Sequence, residues 1–216
     1  ALLQTFNNPT PEINDVFGHS VSISGDKVLI GAPRDKTGAF DAGSAYLYNA
    51  TTGALLQTFN NPTPAYTDYF GWSVSISGDK VLIGAIYDDT GAYNVGSAYL
   101  YDATTGALLQ TFSNPTPEAN DIFGVSVSIS GGKVLIGARQ DNTGAYEAGS
   151  AYLFAATTGT LLRTFNNPTL AEHDNFGFSV SISGNKALIG VPYDDTGATN
   201  TGSAYLFDAT TGALLQ

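Results

Sequence analysis

The sequence contains no cysteine and no methionine, and its charged residues are few and mostly acidic. Without cysteine the chain forms no disulfide, has no thiol nucleophile and offers no thiolate ligand to zinc. Eight lysine and arginine residues stand against 19 aspartate and glutamate residues, which gives a net charge of −11. A partner with a phosphate backbone requires a basic surface, so we expect no nucleic-acid partner. No apolar run approaches the roughly 18 residues of a membrane-spanning helix, so we expect no membrane insertion.

The sequence is rich in internal repetition. The string Ala-Leu-Leu-Gln or a close variant recurs every 53 residues without insertion or deletion, at Ala1, Ala54, Ala107, Thr160 and Ala213. The 216 residues therefore hold four units and the first four residues of a fifth. Self-similarity at a fixed period is typical of repeat architectures. No linker or shift of composition separates the units, so we expect a single domain over residues 1–216.

Each unit carries the pattern of four β-strands and no helical period. In the first unit these are residues 17–24, 27–32, 43–48 and 54–59, with short turns at Gly25-Asp26 and before Ala54. Four antiparallel strands in a period near 50 residues predict an all-β fold, a β-propeller with four-stranded blades. We place the blades approximately at residues 15–59, 68–112, 121–165 and 174–216. A solenoid of stacked four-stranded layers is the alternative.

The fourth strand of the last unit, which would close the ring, has two possible sources. The last unit supplies three strands between Phe176 and Asp208, and either Ala213–Gln216 or Ala1–Phe6 can supply the fourth. The N-terminal copy is longer, so we expect Ala1–Phe6 to be the closing strand of a four-bladed ring. Two chains forming eight blades, or a chain cut from a longer array, are alternatives. Unpaired edge strands would also allow self-association.

Two short motifs in each unit resemble those of a known family. Phe17-Gly18 followed by Gly31-Ala32-Pro33 resembles the FG-GAP repeat, the blade unit of integrin α-subunit propellers and of many bacterial surface proteins. The pairs recur at Phe70-Gly71, Phe123-Gly124 and Phe176-Gly177, and at Gly84-Ala85, Gly137-Ala138 and Gly190-Val191. The resemblance implies an extracellular binding or adhesion role for a protein that is secreted or at the bacterial cell surface. Calcium-binding blades of that family have an Asp-rich turn between strands one and two. Here that turn is only Ser24–Lys27, so we do not carry the calcium site over.

Strand alternation places both short turns of a unit at one end and both long loops at the other. We call the end formed by residues 33–42, residues 60–69 and their equivalents in the other units the long-loop face. Fifteen of the 19 acidic residues fall on this face with three of the eight basic residues, so it carries the net negative charge. Its sequence varies between units, whereas the short turns are nearly identical copies. Loops on a rigid scaffold are the usual place for binding residues.

The long-loop face contains two sets of candidate site residues. Tyrosine favours interfaces, so the first set consists of candidate ligand contacts, namely Tyr66, Tyr87, Tyr93, Tyr146 and Tyr193. Hard cations are held by several carboxylate and carbonyl oxygens, so the second, weaker set is a candidate Ca²⁺ site, namely Asp88, Asp89, Asp194 and Asp195. The simpler interpretation of the repeated aspartates is that they form the loops through hydrogen bonds to nearby backbone.

These features favour a non-enzymatic binding or adhesion module whose long-loop face takes a protein or glycan ligand. The alternative is a structural repeat protein that forms surface fibres or higher assemblies. An enzyme is disfavoured, because acid–base chemistry needs two carboxylates in unlike environments and each Asp here recurs in equivalent units. The sequence has no Ser/His/Asp, phosphate-loop or metal-binding His motif, so we assign no catalytic residue.

Overall fold

The computed structural model describes residues 1–216 and contains fifteen β-strands. They are β1 (Ser20–Ser24), β2 (Lys27–Ala32), β3 (Ser44–Asn49), β4 (Leu55–Asn60), β5 (Phe70–Ser77), β6 (Lys80–Ala85), β7 (Ser97–Asp102), β8 (Leu108–Ser113), β9 (Phe123–Ser130), β10 (Lys133–Ala138), β11 (Ser150–Ala155), β12 (Leu161–Asn166), β13 (Ser179–Ser183), β14 (Lys186–Val191) and β15 (Ser203–Asp208). They form three antiparallel sheets of four strands and a last sheet of three, each in sequence order. We number these sheets blades 1 to 4. The prediction of an all-β fold is confirmed. No helix in the structure is long and apolar enough to cross a membrane.

The first two strands of each blade meet in a two-residue turn. Ser24 pairs with Lys27, which leaves Gly25 and Asp26 as the turn, and Gly25 has a φ of 60°. A left-handed residue at this point matches the right-handed twist of the paired strands, and glycine adopts it without strain. The local sequence therefore determines the short turns.

The large apolar side chains lie between consecutive blades. Leu29 and Leu47 of blade 1 belong to the same buried cluster as Val81 and Ile83 of blade 2. Equivalent clusters join blade 2 to blade 3 and blade 3 to blade 4. The first strands β1, β5, β9 and β13 contact one another in that order. The core is thus a series of three equivalent interfaces, the propeller-like arrangement that the repeat predicts, with one smaller cluster in blade 1 around Tyr46 and Tyr48.

The Phe-Gly pair of each blade docks into the blade before it. The Phe70 N–H donates a 2.9 Å hydrogen bond to the carbonyl oxygen of Ala42, and the Phe70 ring is fully buried. A Cβ atom on Gly31 would overlap the carbonyl oxygen of Gly71, so only glycine lets the two backbones approach. The repeated Phe-Gly and Gly-Ala pairs therefore mark the contacts between blades.

The N-terminal segment does not close a four-bladed ring, contrary to expectation. Ala1–Phe6 lies against blade 1, where the ring centroids of Phe6 and Tyr48 are 5.2 Å apart. The corresponding pair between blades 1 and 2, Phe59 of β4 and Tyr101 of β7, is 5.1 Å apart. Ala1–Phe6 therefore occupies, against blade 1, the position that a fourth strand of a preceding blade would occupy.

The last sheet is extended instead by the C-terminal residues of the same unit. Leu214 forms an isolated bridge to Phe207, and the Leu206 N–H donates a 2.7 Å hydrogen bond to the carbonyl oxygen of Gln216. This segment follows β15 after a short turn, so its pairing costs little loop-closure entropy. Ala213–Gln216, and not the expected Ala1–Phe6, therefore extends the last sheet.

The two ends of the row of blades are uncovered. Val21 and Ile23 on blade 1 are 67% and 68% exposed, whereas their equivalents Val127 and Ile129 on blade 3 are buried. The structure therefore shows an open row of four blades and not a closed four-bladed ring.

Candidate binding site on the long-loop face

A buried aspartate organises the long loop that precedes the first strand of each blade. The Asp68 carboxylate accepts 2.7 Å hydrogen bonds from the Asn61 side chain and from the Ala65 N–H. The same bonds recur at the equivalent aspartates, which are Asp15, Asp121 and Asp174. This aspartate holds the loop in one conformation by accepting bonds from its own segment.

A second buried aspartate organises the other long loop. Asp35 accepts a 2.8 Å hydrogen bond from the Thr37 N–H and a 2.6 Å hydrogen bond from the Tyr46 hydroxyl. The equivalent residues make the same pair of bonds, from threonine and tyrosine to Asp88, Asp141 and Asp194. The buried aspartates therefore have a loop-forming role in every blade.

The four candidate cation ligands are already engaged in these loops. Asp88 and Asp194 are the buried, loop-forming residues of blades 2 and 4. Asp89 and Asp195 are exposed, and each accepts a 2.7 Å hydrogen bond from a backbone N–H five residues further on. Burial by itself raises the pKa of Asp194, but hydrogen bonds from Thr196 and Tyr205 outweigh it and lower the pKa to about 2. No group of three or more His, Cys, Asp or Glu residues is arranged to hold a metal ion.

The buried aspartate of the loop before the first strand has a raised pKa in blades 2 and 3. Burial, together with repulsion by Asp141, raises the pKa of Asp121 to about 7, although a hydrogen bond from the Glu118 backbone opposes the shift. Burial and repulsion by Asp88 raise the pKa of Asp68 to about 6. One carboxylate oxygen of Asp121 is buried without a hydrogen-bond partner. Two nearby carboxylates in a solvent-poor region cannot both ionise freely.

Two of the five candidate tyrosines line a common cleft. Tyr87 and Tyr146 belong to blades 2 and 3, and the cleft between them has a volume of about 400 Å³. The other polar lining residues are Asn94, Asn120, Gln140, Asn142 and Glu147. These residues present amide donors and acceptors beside two aromatic rings. The structure thus forms one mixed aromatic and amide site on the long-loop face.

The other three tyrosines do not line this cleft. Tyr66 is exposed and stacks on Phe40, with ring centroids 5.3 Å apart. Tyr93 and Tyr193 are also exposed. The five residues therefore do not converge on a single site.

The cleft is present between blades 2 and 3 because small side chains replace aromatic ones there. Ala119 and Ile122 of blade 3 occupy the positions of Tyr66 and Tyr69 of blade 2. At the junction of blades 1 and 2, Tyr69 packs against neighbouring aromatic side chains, and the guanidinium group of Arg34 lies 5.6 Å from its ring centroid. Aromatic and cation–π packing therefore fills the junction of blades 1 and 2. The junction of blades 2 and 3 lacks aromatic equivalents of Tyr66 and Tyr69 and stays open.

The amide residues of the cleft belong to no motif that the sequence shows. Asn94 donates a 3.1 Å hydrogen bond from its side chain to the side chain of Asn120, although the two residues are in different blades. The Glu147 carboxylate accepts a 3.0 Å hydrogen bond from the His173 ring. Burial raises the pKa of Glu147, but side-chain hydrogen bonds from His173, Tyr146 and Gln140 together outweigh it and hold the pKa below its ordinary value. The only signal for these residues in the sequence is that their positions vary between units.

Comparison with protein families confirms the resemblance found in the motifs. The model of the FG-GAP repeat matches four segments of the chain, at residues 11–48, 64–101, 115–154 and 170–207. The chain belongs to the FG-GAP repeat family. Each match begins in the loop that precedes the Phe-Gly pair of a blade and ends within its third strand. Comparison with curated protein sequences gives no significant match.

Solved structures with a similar fold include two designed proteins and one bacterial protein. The computationally designed Ika4 protein has a TM-score of 0.59 and 15% identity, over 96% of this chain and 98% of Ika4. The designed Ika8 protein has a TM-score of 0.59 and 16% identity, over 91% of this chain and 47% of Ika8. BamB from Moraxella catarrhalis has a TM-score of 0.54 and 20% identity, over 94% of this chain and 53% of BamB. This FG-GAP chain thus spans about half the length of Ika8 and BamB, and the likeness concerns the fold alone.

Proposed function

We propose that this FG-GAP protein is a secreted or cell-surface binding module, without enzymatic activity, that takes a glycan in the cleft between blades 2 and 3. The observation that carries the proposal is the placement of Tyr87 and Tyr146 beside three asparagines, a glutamine and one glutamate in a single cleft. A binding site of this kind combines apolar contact area with a few convergent polar groups.

The lining of the cleft suits the surface of a sugar. A sugar ring has an apolar face that packs on an aromatic side chain and hydroxyl groups that both donate and accept hydrogen bonds. Asn120 and Gln140 have side chains that likewise donate and accept, while ionised Glu147 accepts. Tyr146 is 55% exposed, so its ring is free to make such a contact. A volume of about 400 Å³ is adequate for one or two sugar rings.

The charge of the long-loop face favours a neutral ligand. Fifteen acidic residues lie on this face with three basic ones, so its potential is negative. A negative potential repels sulfated, phosphorylated or sialylated glycans during their approach. We therefore expect binding to neutral oligosaccharides and not to anionic ones.

The carboxylates near the cleft support binding and not hydrolysis. Glycoside hydrolysis ordinarily requires two carboxyl groups on either side of the scissile bond. The cleft has one lining carboxylate, that of Glu147, and several hydrogen bonds, including the one from His173, hold its pKa below the ordinary value. The buried aspartates of these blades are held in loop hydrogen bonds.

A glycan array followed by titration calorimetry tests the proposal. We expect the protein to bind neutral glycans, and the Tyr146→Ala substitution to raise the dissociation constant about tenfold, the equivalent of one lost aromatic contact. Asn120→Ala should weaken binding as well, because it removes a donor and an acceptor from the cleft. Tyr93→Ala is the matched control, since Tyr93 occupies the same position one blade earlier and lies outside the cleft. Absence of glycan binding, or an equal loss in the Tyr93 variant, would contradict the proposal.

A further inference from the structure

An apolar slot is open at the end of blade 4. It has a volume of about 500 Å³, and its lining includes Gly190, Gly202 and Ser203. The equivalent residues of the other blades are not exposed, because the next blade covers them. In blade 3 they are Gly137, Gly149 and Ser150, of which Ser150 is fully buried.

Each of the three equivalent slots holds the Phe-Gly pair of the following blade. In blade 3, a Cβ on Gly137 would overlap the carbonyl oxygen of Gly177, and one on Gly149 would overlap the backbone of Phe176. The Phe176 N–H donates a 2.8 Å hydrogen bond to the carbonyl oxygen of Ala148. The glycines of blades 1 and 2 are arranged in the same way against Phe70-Gly71 and Phe123-Gly124. The shape of the slot is therefore specific for one kind of backbone segment.

The chain has one Phe-Gly pair that no slot receives. Phe17 is only half-buried, whereas Phe70, Phe123 and Phe176 are fully buried. A Cβ on Gly18 would meet no atom within 4 Å. The empty slot is at the end of blade 4, and the undocked pair Phe17-Gly18 is at the opposite end of the row, on blade 1.

The hydrogen-bonding groups of an interface between blades are also divided between the two ends of the row. Blade 4 has one half of them and blade 1 has the other. Ser126 donates a 2.8 Å hydrogen bond to the carbonyl oxygen of Gly177, and Ser128 accepts a 3.1 Å hydrogen bond from the Ile182 N–H. Their equivalents in blade 4, Ser179 and Ser181, are exposed and have no blade beyond them. The corresponding partner groups are the Gly18 carbonyl oxygen and the Ile23 N–H of blade 1.

Charged and apolar residues at the two ends are complementary as well. Lys27 of blade 1 forms a salt bridge with Asp79 of blade 2, and the equivalent residues at the two ends are Lys186 and Asp26. Leu188 of blade 4 is 44% exposed, although its three equivalents are fully buried against the next blade. The exposed Val21 and Ile23 are the counterparts of the residues that cover those leucines.

We infer that the two end faces pair between copies of this chain, and that two copies close a ring of eight blades. Blade 4 of each copy packs on blade 1 of the other, so the two new interfaces are identical and a two-fold axis relates them. Both repeat the geometry of the three interfaces within the chain.

The ring also accounts for the position of the N-terminal segment. Ala1–Phe6 already lies on blade 1 where a fourth strand of the preceding blade belongs, with Phe6 against Tyr48. In the ring, this segment lies beside β15 of the partner and completes that blade as its fourth strand. It supplies Phe6, the equivalent of the buried Phe59, Phe112 and Phe165, which Ala213–Gln216 does not reach. Ala1–Phe6 thus displaces Ala213–Gln216 of the partner.

Measurement of the mass of the 216-residue protein in solution, by light scattering coupled to gel filtration, tests the inference. We expect twice the mass of one chain. Gly190→Ala should raise the dissociation constant of the two-copy ring about a hundredfold or more, because the added Cβ overlaps the backbone of Gly18 in the partner. Within the chain the only overlap of that Cβ is with the Ser179 hydroxyl oxygen, which can rotate away, so each blade is retained.

A second variant changes the other side of the proposed interface, so that the result does not depend on Gly190 alone. Val21→Asp places a charge on the exposed face of blade 1 and should also give single chains. Tyr93→Asp is the control, since Tyr93 is as exposed as Val21 but lies on the long-loop face, and it should leave the mass unchanged. Circular dichroism should show the same strand content in all four proteins. A wild-type mass of one chain, any other multiple, or a two-chain mass that neither variant at the ends reduces would overturn the inference.

Discussion

The Tyr46 hydroxyl donates a 2.6 Å hydrogen bond to the Asp35 carboxylate, and this bond ties the third strand of blade 1 to its long loop. Every blade has the same pair of residues, at Tyr99–Asp88, Tyr152–Asp141 and Tyr205–Asp194. Burial raises the pKa of Tyr46, and the neighbouring Asp35 raises it further, so the hydroxyl remains a donor at all ordinary pH values.

Removal of the tyrosine hydroxyl from any of these pairs should destabilise the fold. We expect Tyr152→Phe to lower the free energy of unfolding by about 1.5–3 kcal/mol, the usual contribution of a hydrogen bond to a charged group. Chemical denaturation checks this value. Tyr101→Phe is the matched control, because its hydroxyl makes only a 3.4 Å bond and the chain itself has phenylalanine at the equivalent positions 154 and 207. Equal losses in the two variants would show that the bond to Asp141 has no special role.

Stability should depend on the protonation of Asp121. Its pKa is about 7 in the folded protein and about 4 in an unfolded chain, so the folded state binds this proton more tightly. The contribution of Asp121 to the free energy of unfolding should therefore decrease as the pH rises from about 4 to about 7. Asp194, whose pKa is lowered to about 2, acts in the opposite direction but only below about pH 4.

The Asp121→Asn substitution isolates this effect. Asparagine keeps an oxygen for the bonds from Asn114 and the Glu118 backbone but carries no charge. Denaturation between pH 5 and pH 8 should show a smaller loss of stability in the variant than in the wild type. Glu172→Gln serves as the control, since Glu172 is exposed and forms no side-chain hydrogen bond or salt bridge. Parallel curves for wild type and Asp121→Asn would contradict the prediction.

The interfaces between blades should be the main source of stability. We expect Phe123→Ala to lower the free energy of unfolding by about 3–5 kcal/mol, because the ring is fully buried between blades 2 and 3. Tyr93→Ala should cost much less, since that ring is 66% exposed. Denaturant melts of the two variants test this, and similar losses would mean that the buried face has been assigned wrongly.

One backbone position offers a stabilising substitution. Thr67 has a φ of 62°, a left-handed conformation that β-branched residues adopt with strain, while asparagine occupies this position at Asn14 and Asn120 with a φ of 70°. We expect Thr67→Asn to raise the free energy of unfolding by up to about 1 kcal/mol. The reverse change, Asn120→Thr, should lower it by a similar amount. A thermal melt in which neither variant shifts would argue against strain at this position.

Calcium should bind weakly to the long-loop face. The carboxylates of Asp88 and Asp194 already accept hydrogen bonds from threonine and tyrosine, so coordination would have to break those bonds. Titration calorimetry should give a dissociation constant of about 1 mM or weaker. Asp88→Ala/Asp194→Ala is the test variant for any binding that is found. Tight binding that this double variant leaves unchanged would show that the ion is held elsewhere.

Sequence alone determined the features that depend on local chemistry. The 53-residue period fixes four equivalent units, alternation fixes the strands, and turns such as Gly25-Asp26 fix the hairpins. The spacing of Asp35 from Thr37 was sufficient to suggest a loop-forming role, because the hydrogen bond joins residues two apart. Interactions of such short range are largely encoded in the neighbouring residues.

Only the tertiary structure decided what the ends of the row of blades do and which loop residues meet. Leu188 and Leu135 are equivalent leucines in similar local sequences. Leu188 is exposed and Leu135 is buried, because only Leu135 has a further blade packed against it. Similarly, Tyr87 and Tyr146 are 59 residues apart in the chain (146 minus 87) and share a cleft because consecutive blades bring their loops together. Identical repeats have identical local preferences, so their differences arise from the neighbours that packing supplies.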